Sequence, residues 1–304
     1  MADFDIMDKK RKPGRPPNRP YIPVIEQKGI VHTSRLSSSR IELVYNNPLS
    51  FKSVISYFKN IDAREIHLKC TPTTMCFYAR DHLRNSRVAV SICCNLTTWY
   101  FCSGDYDIFL TRENIESIFT NIDKNLSKLT MIYSNDEVDS LTFIFKDEEM
   151  CKECNYKIAL ARCELDRDLY SIVDILSPEN LLQMFPIEFT LNSKHFKKTI
   201  TDAANHSNTI TFEKIADHPF LCSYESPSVI FKGMYLDSEK IKLRCSVDES
   251  FFRCSVPIVN IKPLSSSIFT NDIRILCRKN DDILFISFLD DNIISINTLT
   301  KLIQ

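Results

Sequence analysis

The residues best suited to chemistry in this sequence are cations, and the chemistry they favour is phosphate binding. Residues 9–23 read KKRKPGRPPNRPYIP, and basic residues outnumber acidic ones over residues 1–40. A basic segment of this kind binds nucleic-acid phosphates through its charge. Its prolines oppose helix formation and it has few apolar residues to bury, so we predict that residues 1–39 form a disordered basic tail.

Within this tail, the step Gly14-Arg15-Pro16 resembles the centre of an AT-hook. In that motif an extended Arg-Pro segment lies in the narrow minor groove of A·T-rich DNA, where the negative potential is enhanced. Pro13 stands where AT-hooks usually carry a further arginine. A targeting signal or a merely solvating basic run remains an alternative. The tail cations that we expect to contact DNA are Lys12, Arg15 and Arg19.

A second set of cations lies on predicted amphipathic helices. Helical spacing of apolar residues predicts helices near residues 48–60, 111–122, 193–204 and 260–270. These helices are rich in basic residues, although the chain beyond the tail is acidic overall. An ordinary solvated face is the alternative for any one helix. The residues expected to meet phosphates without reading bases are Lys52, Lys59, Arg112, Lys194, Lys197, Lys198 and Lys262.

Cysteine and histidine give no convincing metal site. The 12 cysteines are scattered through apolar, strand-like segments, which favours reduced thiols in a core. Cys151 and Cys154 have the spacing of half a zinc site, but a structural site needs a second pair of ligands. The 6 histidines show no ligand spacing. We therefore expect no metal and no cofactor.

Motifs of catalysis are also missing from the sequence. It contains no G-x-S-x-G, no P-loop, no G-x-G-x-x-G and no H-E-x-x-H segment. Asp81, Asp107 and Asp147 are carboxylates that nothing in the sequence brings together, and His67 lies in a strand pattern as a half-buried residue. We expect a protein that is not an enzyme.

The elements that position these residues repeat along the chain. A strand, a helix, several strands, a second helix and further strands occupy residues 40–162, and the same order returns over residues 187–304. Residues 163–186 form an acidic connector between them. The predicted fold class is α+β, with two repeated domains. With no leading apolar segment and no run of 18 apolar residues, the protein is expected to be soluble and intracellular.

Several local segments resemble the sliding-clamp family of proliferating cell nuclear antigen (PCNA), and within it the PCNA-like proteins of large DNA viruses. Tyr45-Asn-Asn-Pro48 precedes the first helix, and Lys69-Cys-Thr-Pro72 follows it. Phe77-Tyr-Ala-Arg-Asp81 and Lys240-Ile-Lys-Leu243 are similar to strands of the clamps. The order of these segments carries the resemblance more than any one of them.

The resemblance implies a head-to-tail ring of three two-domain subunits, with helices lining the hole and antiparallel sheets outside. Such a homotrimer would encircle double-stranded DNA and tether a DNA polymerase and other replication or repair proteins as a processivity factor. Viral replication sites in the host cytoplasm, or the nucleus, would be its location. Two alternatives stay open: a monomeric processivity factor that forms no ring, and an AT-hook transcription regulator.

The resemblance also implies two protein-binding sites. In the first, strand 155–161 pairs with strand 240–246 of a neighbouring subunit, since both would otherwise be exposed edges. The interface residues would be Tyr156, Ile158, Leu160, Ile241, Leu243 and Cys245. In the second, partners dock beside the connector. That pocket would contain Val88, Val90, Ile175, Leu176 and Leu299, with ordinary core positions as the alternative for both valines.

Overall fold

The structure is a computed structural model. Among the residues it describes, most elements are strands, and four helices are inserted between them. The described residues are 38–120, 122–164, 166–170, 172, 181, 184–185, 187–215, 219–235, 242–245, 251–266, 272–278, 282–289 and 292–301. The described part of the chain contains no helix long and apolar enough to cross a membrane.

The first half of the chain contains two helices and nine strands. They are β1 (Ser39–Tyr45), α1 (Pro48–Asn60), β2 (Ala63–Cys70), β3 (Met75–Asp81), β4 (Ser86–Ile92), β5 (Trp99–Cys102), β6 (Tyr106–Thr111), α2 (Arg112–Thr120), β7 (Lys128–Ser134), β8 (Ser140–Asp147) and β9 (Lys152–Ala159).

The second half repeats this order element by element. It contains β10 (Ile187–Asn192), α3 (Ser193–His206), β11 (Thr209–Ile215), β12 (Phe220–Glu225), β13 (Ile230–Tyr235), β14 (Lys242–Cys245), β15 (Phe251–Pro257), α4 (Ile258–Ser266), β16 (Asp272–Cys277), β17 (Asp282–Leu289) and β18 (Ile294–Lys301). The predicted α+β fold with two repeated domains is confirmed.

Two details of the predicted elements need correction. Strand β6 was not predicted, because it runs directly into α2 without a turn residue between them. Helix α4 begins at Ile258, before the predicted start at residue 260, so Asn260 lies inside the helix. Pro263 consequently lies inside α4 and cannot donate a main-chain hydrogen bond to Val259.

All described strand pairs are antiparallel, and they build three sheets. A sheet of nine strands has the order β14-β10-β16-β17-β18-β4-β3-β2-β6. It spans both halves, because β18 of the second half pairs with β4 of the first half from Ile294↔Ile92 to Thr300↔Ser86. The other sheets have the orders β5-β1-β7-β8-β9 and β13-β12-β11-β15.

Helix α1 forms because its sequence satisfies both its start and its buried face. Pro48 occupies the first turn, where its missing N–H is least costly. Phe51, Val54 and Phe58 recur at helical spacing and are almost completely buried. The helix ends where Asp62 adopts a left-handed conformation, with φ of 54°, and donates its N–H to the Lys59 carbonyl at 2.9 Å.

Aromatic side chains join the helices of the first half to the strands below them. Phe119 of α2 is 1% exposed. Its ring lies 6.4 Å from that of Phe51 in α1, and 5.7 Å and 5.5 Å from those of Phe143 and Phe145 in β8. Edge-to-face rings at such distances add to the stability gained by burial. Phe119 therefore links both helices to strand β8 within one core.

Replacing Phe119 with alanine should lower the free energy of unfolding by about 3–5 kcal/mol, because it empties the centre of this cluster. Urea unfolding followed by circular dichroism measures the change. Leu96→Ala is a suitable control, since Leu96 is 49% exposed and its truncation should change the free energy of unfolding by less than about 0.5 kcal/mol. Equal losses in the two variants would contradict this account of the core.

Candidate nucleic-acid interface

The nine-stranded sheet has two different faces, and the helices cover one of them. Val88 and Val90 of β4 belong to the same buried core as Phe51 of α1 and Phe196 of α3. Ala89, between the two valines, belongs instead to a second cluster on the opposite face. Successive residues of a strand point to opposite faces, so the helix face and the other face are distinct surfaces.

On the helix face, the cations of the first half bind other groups of the same chain. Lys52 Nζ donates to the carbonyl oxygens of Thr120, the last residue of α2, and of Ile122 just beyond it, at 3.1 Å and 3.3 Å. Lys59 forms an ion pair with Glu116 of α2. These two predicted phosphate ligands, with Arg112, therefore lie together where α1 meets α2.

Arg112 completes this arrangement. Its Nη1 lies 3.1 Å from Asp62 Oδ1, and its Nε lies 3.8 Å from Glu116 Oε2. The His82 side chain also contacts Asp62, with 2.9 Å between His82 Nδ1 and Asp62 Oδ2. The carboxylates of Asp62 and Glu116 thus neutralise much of the positive charge that the sequence places on the first two helices.

Helix α3 presents the opposite situation. Lys194, Lys197 and Lys198 are exposed, while Phe196 and Ile200 on the other side of the helix are buried. The Asn192 side chain caps the helix by accepting the Lys194 N–H at 3.1 Å. No ion pair joins these three lysines to a carboxylate within the described part of the chain. The structure therefore brings them together on one solvent-facing side of α3.

The remaining predicted phosphate ligands are divided between α4 and the tail. Lys262 is exposed on α4, and no ion pair within the described ranges involves it. Helices α3 and α4 pack against each other, as α1 and α2 do. The tail residues Lys12, Arg15 and Arg19 lie outside the described residues.

The predicted subunit-interface residues lie on strands at sheet edges. β9 is the last strand of its sheet, and it contains Tyr156 and Ile158, with Leu160 just beyond. Of these, Ile158 is 7% exposed and belongs to the core, and Leu160 packs against that core. Leu243 and Cys245 lie on β14, an edge strand that pairs with β10 of its own chain. Ile241 lies outside the described residues.

The predicted partner-binding residues are dispersed. Val88 and Val90 are 0% exposed in the core beneath the helices, so a docking partner has no access to them. Leu299 lies on the opposite face, but it is 1% exposed because connector residues cover it. Ile175 and Leu176 lie outside the described residues. The apolar side chains that the connector places over this face are Leu169, Ile172, Leu181 and Phe185.

A polar and aromatic anchor holds the start of the connector on this second face. Tyr170 donates its hydroxyl to Asp107 Oδ1 at 2.9 Å, and His67 Nε2 lies 2.8 Å from the same oxygen. The Lys69 ammonium lies 4.5 Å from the centre of the Tyr170 ring. Arg80 adds an ion pair with Asp166 at 3.1 Å. Sequence reasoning did not find this anchor, because its members are distant in sequence.

His67 is more buried than the sequence suggested. It is 4% exposed, and its ring stacks on Phe109 at 4.6 Å between centroids. Burial lowers the pKa of His67 below its ordinary value, and the hydrogen bond and charge of Asp107 oppose that shift only in part. Burial and the nearby Asp107 raise the pKa of the Tyr170 hydroxyl. A neutral imidazole at neutral pH therefore donates its Nε2–H to Asp107, the carboxylate that also accepts the Tyr170 hydroxyl.

Most of the cysteines among the described residues are buried in the core. Cys70, Cys94 and Cys102 are buried together near Tyr100, and burial raises the pKa of each thiol. Burial likewise raises the pKa of Cys76 to about 11. Among the described residues, cysteines are free thiols and no group of three or more His, Cys, Asp or Glu side chains is placed to hold a metal ion. Cys151 and Cys154 stay without further ligands there.

Comparison with solved structures identifies the fold as that of the PCNA sliding clamps. The crystal structure of PCNA from Entamoeba histolytica superposes with a TM-score of 0.72, covering 88% of this chain and 100% of that one at 12% identity. PCNA from Thermococcus kodakaraensis gives a TM-score of 0.69, covering 86% of this chain and 100% of that one at 11% identity. At such low identity the likeness shows the fold alone. No family model matches the sequence.

Comparison with curated sequences gives the family. An uncharacterized protein of African swine fever virus, isolate Pig/Kenya/KEN-50/1950, is 36% identical over 299 residues, which are 97% of this chain and 99% of the relative. The corresponding protein of isolate Warthog/Namibia/Wart80/1980 matches over the same length at the same identity. The chain belongs to this family of African swine fever virus proteins, and the predicted likeness to viral PCNA-like proteins is confirmed.

The buried histidine makes part of the protein's stability depend on pH. A histidine whose pKa is lower in the folded chain than its ordinary 6.5 binds protons more readily when unfolded. Its contribution is therefore complete above about pH 6.5 and decreases as pH falls towards the folded pKa. We expect His67→Gln to be less stable than the wild type at about pH 7.5 and to lose less stability than it on acidification to about pH 5.5.

Urea unfolding at the two pH values measures this difference. His195→Gln is the matched control, because His195 is exposed on α3 and takes no part in the connector anchor. The control should show the same pH dependence as the wild type. An unchanged pH dependence in the His67 variant would contradict the role given to burial.

Proposed function

We propose that this protein is a non-enzymatic DNA sliding clamp, a homotrimeric ring that encircles duplex DNA and acts as a processivity factor for a DNA polymerase. The observation that supports this most directly is a PCNA fold whose helix face exposes the lysines of α3. Positive side chains on a helix surface bind the phosphate backbone without reading its sequence. Replication and repair proteins are the proposed partners, with viral replication sites in the host cytoplasm as the proposed location.

The internal repeat suggests how the ring closes. Within the chain, β18 pairs with β4 and joins the two halves. The hairpin β8–β9 corresponds to β17–β18 pair by pair, from Ser140↔Ala159 to Asp147↔Lys152 in one and from Asp282↔Lys301 to Leu289↔Ile294 in the other. The ladder β12–β13 corresponds in the same way to β3–β4. We propose that β9 of one subunit pairs with β13 of the next.

This pairing carries over a definite register. If β9 and β13 adopt the register of β18 and β4, Asn155 lies opposite Lys232, and Tyr156 lies opposite Phe231. Asn155 takes the place of Asn297, whose side-chain amide donates to the Ala89 carbonyl at 3.3 Å. Pairing would also cover Ile230 and Met234, which are 68% and 70% exposed on β13. Exposed apolar edge strands are rare in isolated domains.

The main-chain hydrogen bonds agree with this arrangement. The Leu160 N–H donates to the Asp139 carbonyl at 2.9 Å. Because the N–H groups of an antiparallel strand alternate in direction, Ile158 and Tyr156 also point their N–H groups towards β8. Asn155 and Lys157 therefore direct their N–H groups to the open edge. The Ser226 N–H donates to the Val229 carbonyl at 2.8 Å, so Val229 and every second residue after it direct their main-chain groups to β12. Lys232 lies between these residues on β13 and therefore directs its N–H to the open edge.

The proposed interface replaces β14 with β13. The predicted interface pairs strand 155–161 with strand 240–246 of a neighbouring subunit, and the latter range includes β14. In the repeat, β14 corresponds to β5 and pairs with β10 as β5 pairs with β1. The strand that corresponds to β4, which joins the two halves, is β13. The β9 side of the predicted interface is kept.

Further contacts are proposed for DNA and for partner proteins. The tail residues Lys12, Arg15 and Arg19 would add a tethered second contact to the duplex, with A·T-rich stretches preferred if the AT-hook likeness extends to function. Partner proteins would dock beside the connector, through residues that include Ile175 and Leu176.

Proline substitutions at the open edges test the ring. Asn155→Pro and Lys232→Pro should each remove the outward hydrogen bond without breaking the intrachain ladder, and so yield folded monomers. Light scattering over a concentration series gives the mass, and circular dichroism verifies folding. Leu243→Pro on β14 is the comparison. Loss of the trimer in that variant alone would move the interface to β14, and a wild-type mass equal to the monomer at every concentration would refute the ring.

Retention on DNA tests the clamp itself. A closed ring slides off the ends of linear duplex but stays on a circle of the same sequence. After loading of the wild-type protein, gel filtration at moderate salt should recover it with nicked circular DNA and lose it once a restriction enzyme opens the circle. Asn155→Pro should be lost from both forms. Equal retention on circular and linear DNA would instead favour a regulator that binds sites.

A further inference from the structure

We infer that the two halves of the clamp differ in their contacts with DNA. The lysines of α3 in the second half contact the phosphates, whereas the cations of the first half join α1 to α2. This inference rests on the proposed function, because it concerns which helix cations meet the duplex. The repeated fold would by itself suggest two equivalent contact regions per subunit. The ion pairs and helix ends show that the two regions differ.

The cations of the first half are placed where they stabilise the fold. Lys52 donates to carbonyl oxygens at the C-terminal end of α2, which lack partners within the helix. Lys59 lies in the last turn of α1, where a positive charge is favourable to the helix dipole. Arg112 and Lys59 both contact Glu116, so one carboxylate joins the two helices. Phosphate binding would compete with each of these contacts.

The cations of α3 are placed where they do not stabilise the fold. Lys194 lies in the first turn, where a positive charge opposes the helix dipole, and Lys197 and Lys198 follow in the second turn. The first turn contains no acidic residue to offset them. Asp202, further along the helix, accepts a hydrogen bond from Tyr224. Three exposed like charges at the unfavourable end of a helix are explained when an external anion is their partner.

The duplex backbone is the anion that fits this face. The three lysines lie at positions i, i+3 and i+4, so they share one side of α3, opposite Phe196 and Ile200. Their spacing along an exposed helix face suits a row of phosphates better than a single enclosed anion. In a trimeric ring, α3 then gives one strong contact region per subunit, alternating with a region near neutrality where α1 meets α2.

Two matched triple variants test this division. One is Lys194→Gln with Lys197→Gln and Lys198→Gln, and the other is Lys52→Gln with Lys59→Gln and Arg112→Gln. Glutamine removes the charge and keeps a good helix propensity. Lys128→Gln with Lys146→Gln, on strands β7 and β8, serves as the control for loss of charge elsewhere. Fluorescence anisotropy with a short duplex, from about 50 to about 200 mM NaCl, gives affinity and salt dependence.

The α3 variant should bind duplex at least about tenfold more weakly, and the slope of log K against log salt should flatten by up to about 3. Its melting temperature should equal or exceed that of the wild type. The first-half variant should keep most of the slope but melt at a lower temperature. The strand control should match the wild type in DNA binding.

The outcomes separate the inference from the proposed function. If both triple variants lose affinity and slope equally, the division between the halves is refuted and the clamp stands. The same holds if only the first-half variant loses them. If the wild type itself shows no salt-dependent binding to duplex DNA, the proposed function fails, and the inference fails with it.

Discussion

Main-chain pairing between β18 and β4 is the interaction on which the rest of the structure depends. It merges strands from both halves into one sheet of nine and leaves no open edge at the junction. An unpaired edge would expose a row of N–H and C=O groups, so the junction satisfies hydrogen bonds that neither half could satisfy alone. The connector packs on strands of both halves, so its position depends on this continuous sheet.

The continuous sheet creates two surfaces with different chemistry. On one face, large aromatic side chains such as Phe77 of β3 pack against the helices, and basic residues remain on the helix surface. On the other face, the connector lies over a second, smaller apolar cluster and is held by Tyr170, Asp107 and His67. Because residues alternate along each strand, both surfaces are encoded in the same short segments. Whether a substitution in β4 affects the helix face or the connector face therefore depends on which face that position points to.

Periodicity predicted most of the fold because each element is amphipathic in its own sequence. The helix at Pro48–Asn60 and the repeated order of strands followed from local patterns. Contacts between distant residues could not be predicted in this way: Glu116 neutralises Lys59, and Asp107 meets Tyr170, only after folding. Counting basic residues on helices consequently treated Lys59 and Lys197 as equivalent. In the structure the first is paired, and the second faces solvent.

The proposed pairing of β9 with β13 constrains how copies of the chain would assemble. β9 and β13 are different strands, so a contact between them is head to tail and leaves the same two edges at the ends of any open chain of subunits. Only the angle between successive subunits decides whether such a chain closes after a few copies or grows as a filament. In the proposed ring, the twist of the three sheets would help to set that angle, and with it the number of copies.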